Sequence, residues 1–263
     1  MGRFCPWAAG KPGSEDLLDA IASDTEAYHG RLLKARELSR RAVDFDVRND
    51  QKETAALWQM ASALHEAELG NADQGRQQAA AALELASTHD TQILAALVFA
   101  RAGDLARAEK PADDTATRYS QDTLVNGYWL PSVRGAVELD RKNPAKAIEL
   151  LKPALQYELG TPTMNVCAGA PLIPVYIRGE AYLQSHEGAA AATEFQKLIE
   201  RRYLVGNYLL GALAHLGLAR AYLLLGDASK ARIAYQDFFA LWKDADPEIP
   251  ILKQAKAEYA KLQ

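Results

Sequence analysis

The sequence predicts an all-α fold, a right-handed superhelical array of antiparallel helix hairpins. A turn signal, in which glycine or a substitute precedes a polar residue, recurs at intervals of 33 to 44 residues along the 263-residue chain. A small residue, usually alanine, follows each turn five positions later. Each interval contains two helical patterns and no alternating strand pattern. We therefore expect about six hairpins, whose turns lie at Gly30, Gly70, Gly103, Lys142, His186 and Gly226.

The first element, residues 1–13, is predicted to be a linker that precedes a repeat domain over residues 14–263. Its short apolar stretch is interrupted by Pro6. A secretory signal needs an unbroken apolar core of about 7 to 15 residues, so this segment does not qualify as one. Its aromatic and proline residues favour a linker that packs on the first helix.

The last hairpin shows most clearly why the pattern predicts paired helices. Gly226 can end the first helix in a left-handed conformation, and Asp227 can then cap the second helix through its backbone N–H groups. Within that second helix Ala231, Tyr235 and Phe238 fall on one face. A small residue at position 231 allows a close approach of the two helices. Such a hairpin must stack on neighbours to bury its other face.

Three elements depart from this regular pattern. Pro111 falls inside the second helix of the third hairpin, and an interior proline costs roughly 3 kcal/mol, so we expect that helix to be short or frayed. Residues 157–174 form the longest non-periodic stretch, either a functional loop or a simple bridge. Residues 249–262 are predicted to form a capping helix with a polar outer face, because nothing stacks beyond it.

Composition excludes several classes of function. The chain has 30 basic and 34 acidic residues, which argues against direct nucleic-acid binding. No stretch approaches the roughly 20 apolar residues of a membrane span. Two cysteines are too few for a disulfide framework and match no metal-ligand spacing. We expect a cytoplasmic protein without a cofactor, or an extracytoplasmic one if the chain belongs to a longer membrane-anchored protein.

Motifs for enzymatic chemistry are missing from the sequence. His65 and Glu66 begin like a zinc-protease motif, but position 69 is leucine. The sequence contains neither a complete phosphate-binding loop nor a nucleophile elbow, and the catalytic motifs of protein kinases are absent as well. The remaining histidines are scattered among different hairpins and are interpreted as structural or solvated. We therefore expect a protein that is not an enzyme.

The sequence resembles known proteins in two ways. The last turn and the helix that follows it, residues 226–235, are similar to the tetratricopeptide repeat. Residues 7–13, 34–42 and 235–263 resemble tetratricopeptide-like C-terminal regions of bacterial, chiefly acidobacterial, proteins. In those proteins the region follows a serine/threonine protein kinase domain or a winged-helix DNA-binding domain. The resemblance implies a docking or sensory portion of a signalling protein, with a peptide, another protein or the parent's own N-terminal domain as partner.

The tetratricopeptide register also selects residues that would line a concave groove. These residues are mainly apolar, which favours a hydrophobic or amphipathic segment of a partner as ligand. A small molecule sensed in the same groove is the alternative. Packing between helices is a further interpretation of each aromatic residue. The groove candidates are Met60, Ile93, Leu97, Trp129, Tyr176, Glu180, Leu213 and Arg220, and the same register includes Leu57, Leu64 and Leu216.

Overall fold

The structure, a computed structural model, describes residues 10–11, 13–158, 160 and 172–262. These residues form helices and turns and contain no strand, so the all-α prediction is confirmed. A π-helical turn, Val125–Trp129, precedes α7, and a 3-10 segment, Lys152–Tyr157, follows α8. The helices are α1 Glu15–Tyr28, α2 Leu32–Arg48, α3 Lys52–Glu68, α4 Ala72–Leu85, α5 His89–Arg101, α6 Leu105–Arg118, α7 Leu130–Asp140, α8 Pro144–Leu151, α9 Ile173–Gln184, α10 Gly188–Glu200, α11 Arg202–Val205, α12 Leu209–Leu224, α13 Ala228–Leu241 and α14 Pro250–Ala260.

The helices pack as six consecutive pairs: α1 with α2, α3 with α4, α5 with α6, α7 with α8, α9 with α10, and α12 with α13. From α3 onward, the first helix of each pair also contacts the first helix of the next pair. The second helix of each of the first five pairs contacts the first helix of the next pair as well. Each pair therefore buries its second face against its neighbours, as expected for helix hairpins that cannot be stable alone.

All six predicted turn residues adopt the left-handed conformation, with φ between 59° and 91°. In each turn the next residue donates its backbone N–H to the carbonyl five positions earlier, at 2.8 to 3.0 Å. This bond satisfies a carbonyl that the helix end would otherwise leave free. Four turns have glycine at this position, whereas Lys142 and His186 adopt the same conformation with a side chain.

The small residue five positions after each turn is buried, as predicted. In the second pair it is Gly75, and a Cβ atom there would lie 3.0 Å from the carbonyl oxygen of Ala63 in the facing helix. Only a small side chain fits this close approach. The alanines at the equivalent positions of the other pairs are at most 2% exposed; they are Ala35, Ala108, Ala147, Ala191 and Ala231.

The second helix of the third pair is longer than expected. α6 runs without interruption through Pro111 to Arg118, so the prediction of a short helix is wrong. Ala108, Ala112 and Thr115 form its buried face on both sides of the proline, and this packing offsets the missing backbone hydrogen bond.

Two other sequence-based assignments fall partly outside the described residues. Most of the linker (residues 1–9 and 12) and most of the 157–174 stretch (residues 159 and 161–171) lie there. The predicted C-terminal helix is present as α14, which ends two residues before position 262.

A pair of buried carboxylates lies in the first two helices. Asp16 and Asp46 are at most 1% exposed, and the indole Nε1 of Trp58 donates to Asp46 Oδ2 at 2.9 Å. Burial and the nearby Asp16 raise the pKa of Asp46 to about 6, although the bond from Trp58 opposes this shift. Asp46 is therefore a source of pH-dependent stability.

The last pair returns to the first, so the six pairs close into a ring. α1 packs against α12. The indole Nε1 of Trp242 donates to the carbonyl of Tyr28 at 2.9 Å, and the backbone N–H of Asp246 donates to the carbonyl of Gly30 at 3.0 Å. Asp246 Oδ2 accepts the N–H of Leu33 at 2.7 Å. We call this contact, between residues 28–33 and the last pair with residues 242–246, the seam.

Candidate functional site

The predicted groove residues lie on the first helices of their pairs, or in the π-helical turn before α7, as the register requires. Their exposure differs from the prediction. In the part of the chain that the structure describes, the first helices of successive pairs pack against one another and bury most of these side chains. Glu180 and Arg220 are half-buried. The other six belong to the main core and are at most 5% exposed; they are Met60, Ile93, Leu97, Trp129, Tyr176 and Leu213. A role for any of the eight in binding stays a prediction.

Tyr176 and Glu180 lie in a cluster with Glu68 and Arg101, two residues that the sequence analysis did not select. Arg101 Nε and Nη2 donate to the two oxygens of Glu68 at 2.7 and 2.8 Å, and Arg101 Nη1 donates to Glu180 Oε2 at 2.6 Å. The guanidinium carbon lies 5.8 Å from the ring centroid of Tyr176. We call Glu68, Arg101, Tyr176 and Glu180 the central charge cluster. Glu68 and Arg101 each precede a turn glycine by two residues, which is the signal that could have found them.

Burial raises the pKa of Glu68 in this cluster, and the guanidinium of Arg101 opposes that shift. Burial by itself lowers the pKa of Arg101, but the carboxylates of Glu180 and Glu68 raise it well above its usual range. Burial, with the same carboxylates, raises the pKa of Tyr176. Both acids are engaged by Arg101, so the cluster joins α3, α5 and α9 at the centre of the ring. Its geometry is that of a structural ion-pair network.

Arg220, the third polar groove candidate, holds the C-terminal helix. Its Nε and Nη2 donate to the two oxygens of Glu258 in α14, both at 3.0 Å. The hydroxyl of Tyr235 donates to the same carboxylate at 2.8 Å. Tyr259 packs its ring against Tyr235 and Phe239, with centroids 5.7 and 5.5 Å apart. A bidentate arginine–carboxylate pair gives this contact both energy and orientation.

The other end of α14 reaches the second pair. The backbone N–H of Ile251 donates to the carbonyl of Leu69 at 3.3 Å, and Pro250 packs against Gly70. Leu252 and Ala255 are at most 2% exposed. We call the surface that receives α14 the α14 seat; it consists of Leu69, Gly70, Arg220, Tyr235, Phe239 and Trp242.

A cleft of about 500 Å³ lies beside the seam, between α1, α10, α11, α12 and α13. We call it the seam cleft. Its charged and titratable side chains besides Tyr28 are Arg202, His215 and Asp237. Burial lowers the pKa of His215, an effect opposed by Asp237 and reinforced by Arg202. The imidazole is therefore neutral at neutral pH. The remaining lining residues are Leu198, Ile199, Val205, Gly206, Gly211, Ala240 and Leu241.

The sequence analysis interpreted His215 as structural or solvated and did not connect it with Arg202 or Asp237. These three residues lie on three different helices, α11, α12 and α13. No local motif links them, because the cleft forms only when the last pair packs beside the first.

Several general features of the described part of the chain bear on function. Within it, no group of three His, Cys, Asp or Glu residues is placed to hold a metal ion. None of its helices combines the length and the apolar character that crossing a membrane requires. Comparison of the chain with protein-family models and with curated proteins finds no significant match.

Proposed function

We propose that this chain is a non-enzymatic protein-interaction module that binds an amphipathic helix of a partner, as the docking or sensory portion of a bacterial signalling protein. Its pairs would be divergent tetratricopeptide-like repeats, wound in a right-handed superhelix until the two ends meet. The partner is another protein, or a kinase or winged-helix domain of the parent protein, as the sequence resemblance implies.

The observation that carries this proposal is the way in which α14 is held. α14 inserts buried apolar residues and fixes one carboxylate with Arg220, a predicted groove residue. Recognition of a helix through apolar anchors and an oriented charge is the helix-in-groove mode of binding. The α14 seat would therefore accept a partner helix of the same chemistry, and α14 would be its intramolecular competitor.

The test supplies α14 as a separate peptide. Leu252→Asp places a charge at a buried position of α14 and should displace it from the seat, whose own residues are unchanged. A fluorescent peptide of residues 246–263 should bind this variant, as measured by fluorescence anisotropy. It should bind the unaltered chain at least about tenfold more weakly, because the tethered helix competes at an effective concentration in the millimolar range.

Two matched controls make the result specific. Lys253→Asp changes the neighbouring, exposed position of α14, and this variant should behave like the unaltered chain. A peptide with Glu258→Gln loses the charge that Arg220 recognises and should bind at least about tenfold more weakly. Absence of peptide binding to a folded Leu252→Asp variant would contradict the proposal, as would equal affinity for both peptides.

A second candidate function is a regulatory module that senses a small molecule, and the seam cleft favours it. Its volume of about 500 Å³ lies in the range of small-molecule sites, and it combines apolar walls with a few polar groups. A ligand there would contact both the first pair and the last pair of helices. Its binding would therefore stabilise the closed ring.

A further inference from the structure

The two charged side chains of the seam cleft have opposite signs and remain separate. Arg202 lies on the short helix α11 and Asp237 on α13. In the part of the chain that the structure describes, neither forms an ion pair or a side-chain hydrogen bond with the other or with a third residue. Both side chains are exposed at the cleft and close enough to His215 to influence its titration.

The charge balance of the cleft limits the chemistry of a ligand. Because His215 is neutral at neutral pH, the lining has one positive group and one negative group. A simple organic anion would bring its charge close to Asp237, and a simple amine would bring its charge close to Arg202. A molecule that carries both charges would satisfy both residues, because each charge of the ligand then has an opposite partner.

The rest of the cleft is suited to an apolar group. Leu198, Val205 and Leu241 contribute aliphatic walls, and Tyr28 contributes an aromatic ring from the first pair. At Gly211 a Cβ atom would lie 2.9 Å from Val205 Cγ1 and 3.3 Å from the Tyr28 ring, so the glycine keeps this wall closely packed. An aliphatic or aromatic side chain of a ligand would lose water against these residues.

We propose that the seam cleft binds a free amino acid with an apolar side chain, whose carboxylate pairs with Arg202 and whose ammonium group pairs with Asp237. The apolar side chain packs between α10, α11 and α13 and contacts Tyr28 of α1. His215 offers a neutral imidazole as an additional hydrogen-bonding partner. This inference depends on the second candidate function and gives that function a ligand class.

The test is titration calorimetry of the full chain with L-leucine, L-phenylalanine and L-tryptophan, together with thermal unfolding at saturating ligand. We expect saturable one-to-one binding of at least one of them and a higher unfolding temperature, since the ligand binds only the closed ring. N-acetyl-L-leucine lacks the ammonium group and L-leucinamide lacks the carboxylate. If leucine binds, each derivative should bind at least about tenfold more weakly. The same pair distinguishes a free amino acid from the last or first residue of a peptide.

Matched variants assign the two charges. Arg202→Gln and Asp237→Asn should each reduce affinity for the amino acid at least about tenfold. Arg201→Gln and Asp244→Asn remove the same charges from residues that do not line the cleft, and should leave affinity unchanged. Circular dichroism checks that each variant retains its helices.

The possible failures separate the ligand class from the sensing function. If an acetylated or amidated derivative binds as tightly as leucine, the zwitterion proposal is overturned while small-molecule sensing at the cleft survives. If none of these compounds binds at 10 mM, a limit chosen as roughly ten times a millimolar dissociation constant, the amino-acid proposal fails. Equal affinity of the Arg202→Gln variant and the unaltered chain would also overturn it.

Discussion

Closure of the ring can be tested by one substitution at the seam and a matched substitution far from it. Gly30 and Gly226 occupy the same turn position in the first and last pairs, with φ of 71° and 74°. Alanine at either position must adopt a left-handed conformation, which costs about 1 kcal/mol. A Cβ atom at Gly226 meets no atom within 4 Å. Gly226→Ala therefore measures the backbone cost alone.

Gly30→Ala adds a clash at the seam. The new Cβ atom would lie 2.6 Å from the Cβ of Ala245 and 2.8 Å from Cδ2 of Trp242, well inside ordinary carbon–carbon contact. Overpacking of this kind costs about 1 to 3 kcal/mol. We therefore expect Gly30→Ala to lose about 2 to 4 kcal/mol of unfolding free energy, against about 1 kcal/mol for Gly226→Ala.

The assay is urea unfolding followed by circular dichroism, combined with amide hydrogen exchange. Gly30→Ala should lower the urea midpoint more than Gly226→Ala does. It should also speed exchange of the N–H groups of Leu33 and Asp246, which form hydrogen bonds across the seam. Equal urea midpoints for the two variants, with unchanged exchange at these two amides, would refute the closed ring.

Three further predictions concern buried charges and turn conformation. The raised pKa of Asp46 means that its contribution to stability is full below about pH 3.8 and is lost as the pH rises through about 6. At pH 8, Asp46→Asn should therefore have a higher urea midpoint than the unaltered chain, with an unfolding free energy larger by roughly 1 to 3 kcal/mol. This gain should disappear near pH 4. Arg101→Met leaves the carboxylate of Glu68 buried and unpaired and should cost about 3 to 5 kcal/mol in urea unfolding at pH 7, whereas Arg107→Met, at an exposed ion pair, should cost less than about 1 kcal/mol. His186→Gly relieves a left-handed side-chain position and should raise the thermal unfolding temperature, with a gain of up to about 1 kcal/mol; a lower temperature would contradict the turn geometry.

The sequence by itself determined the local structure, because local structure depends on residues that are close in the chain. Gly30, Gly103 and Gly226 indicated left-handed turns. Lys142 and His186 were identified as turn residues by their spacing alone. The buried small residue after each turn followed from the same period. The C-terminal helix was also predicted almost to its ends, as its polar and apolar residues alternate with helical spacing.

Pro111 marks the limit of local reasoning. The cost of an interior proline is real, but it is a cost to an isolated helix. In the folded chain α6 is held on both sides of the proline by its buried face, and packing decides the length of the helix. Propensity is a weaker determinant than tertiary contact wherever a helix has a neighbour to pack against.

Only the tertiary structure decided which surfaces are accessible. Met60 lies on the first helix of its pair and Trp129 in the turn before α7, but the register could not show that neighbouring helices bury both side chains. The central charge cluster, the α14 seat and the seam cleft each join residues from distant pairs. These sites form because each pair is rotated slightly relative to the one before it, and the accumulated rotation brings distant pairs together. The sequence of a single repeat does not show that accumulated rotation.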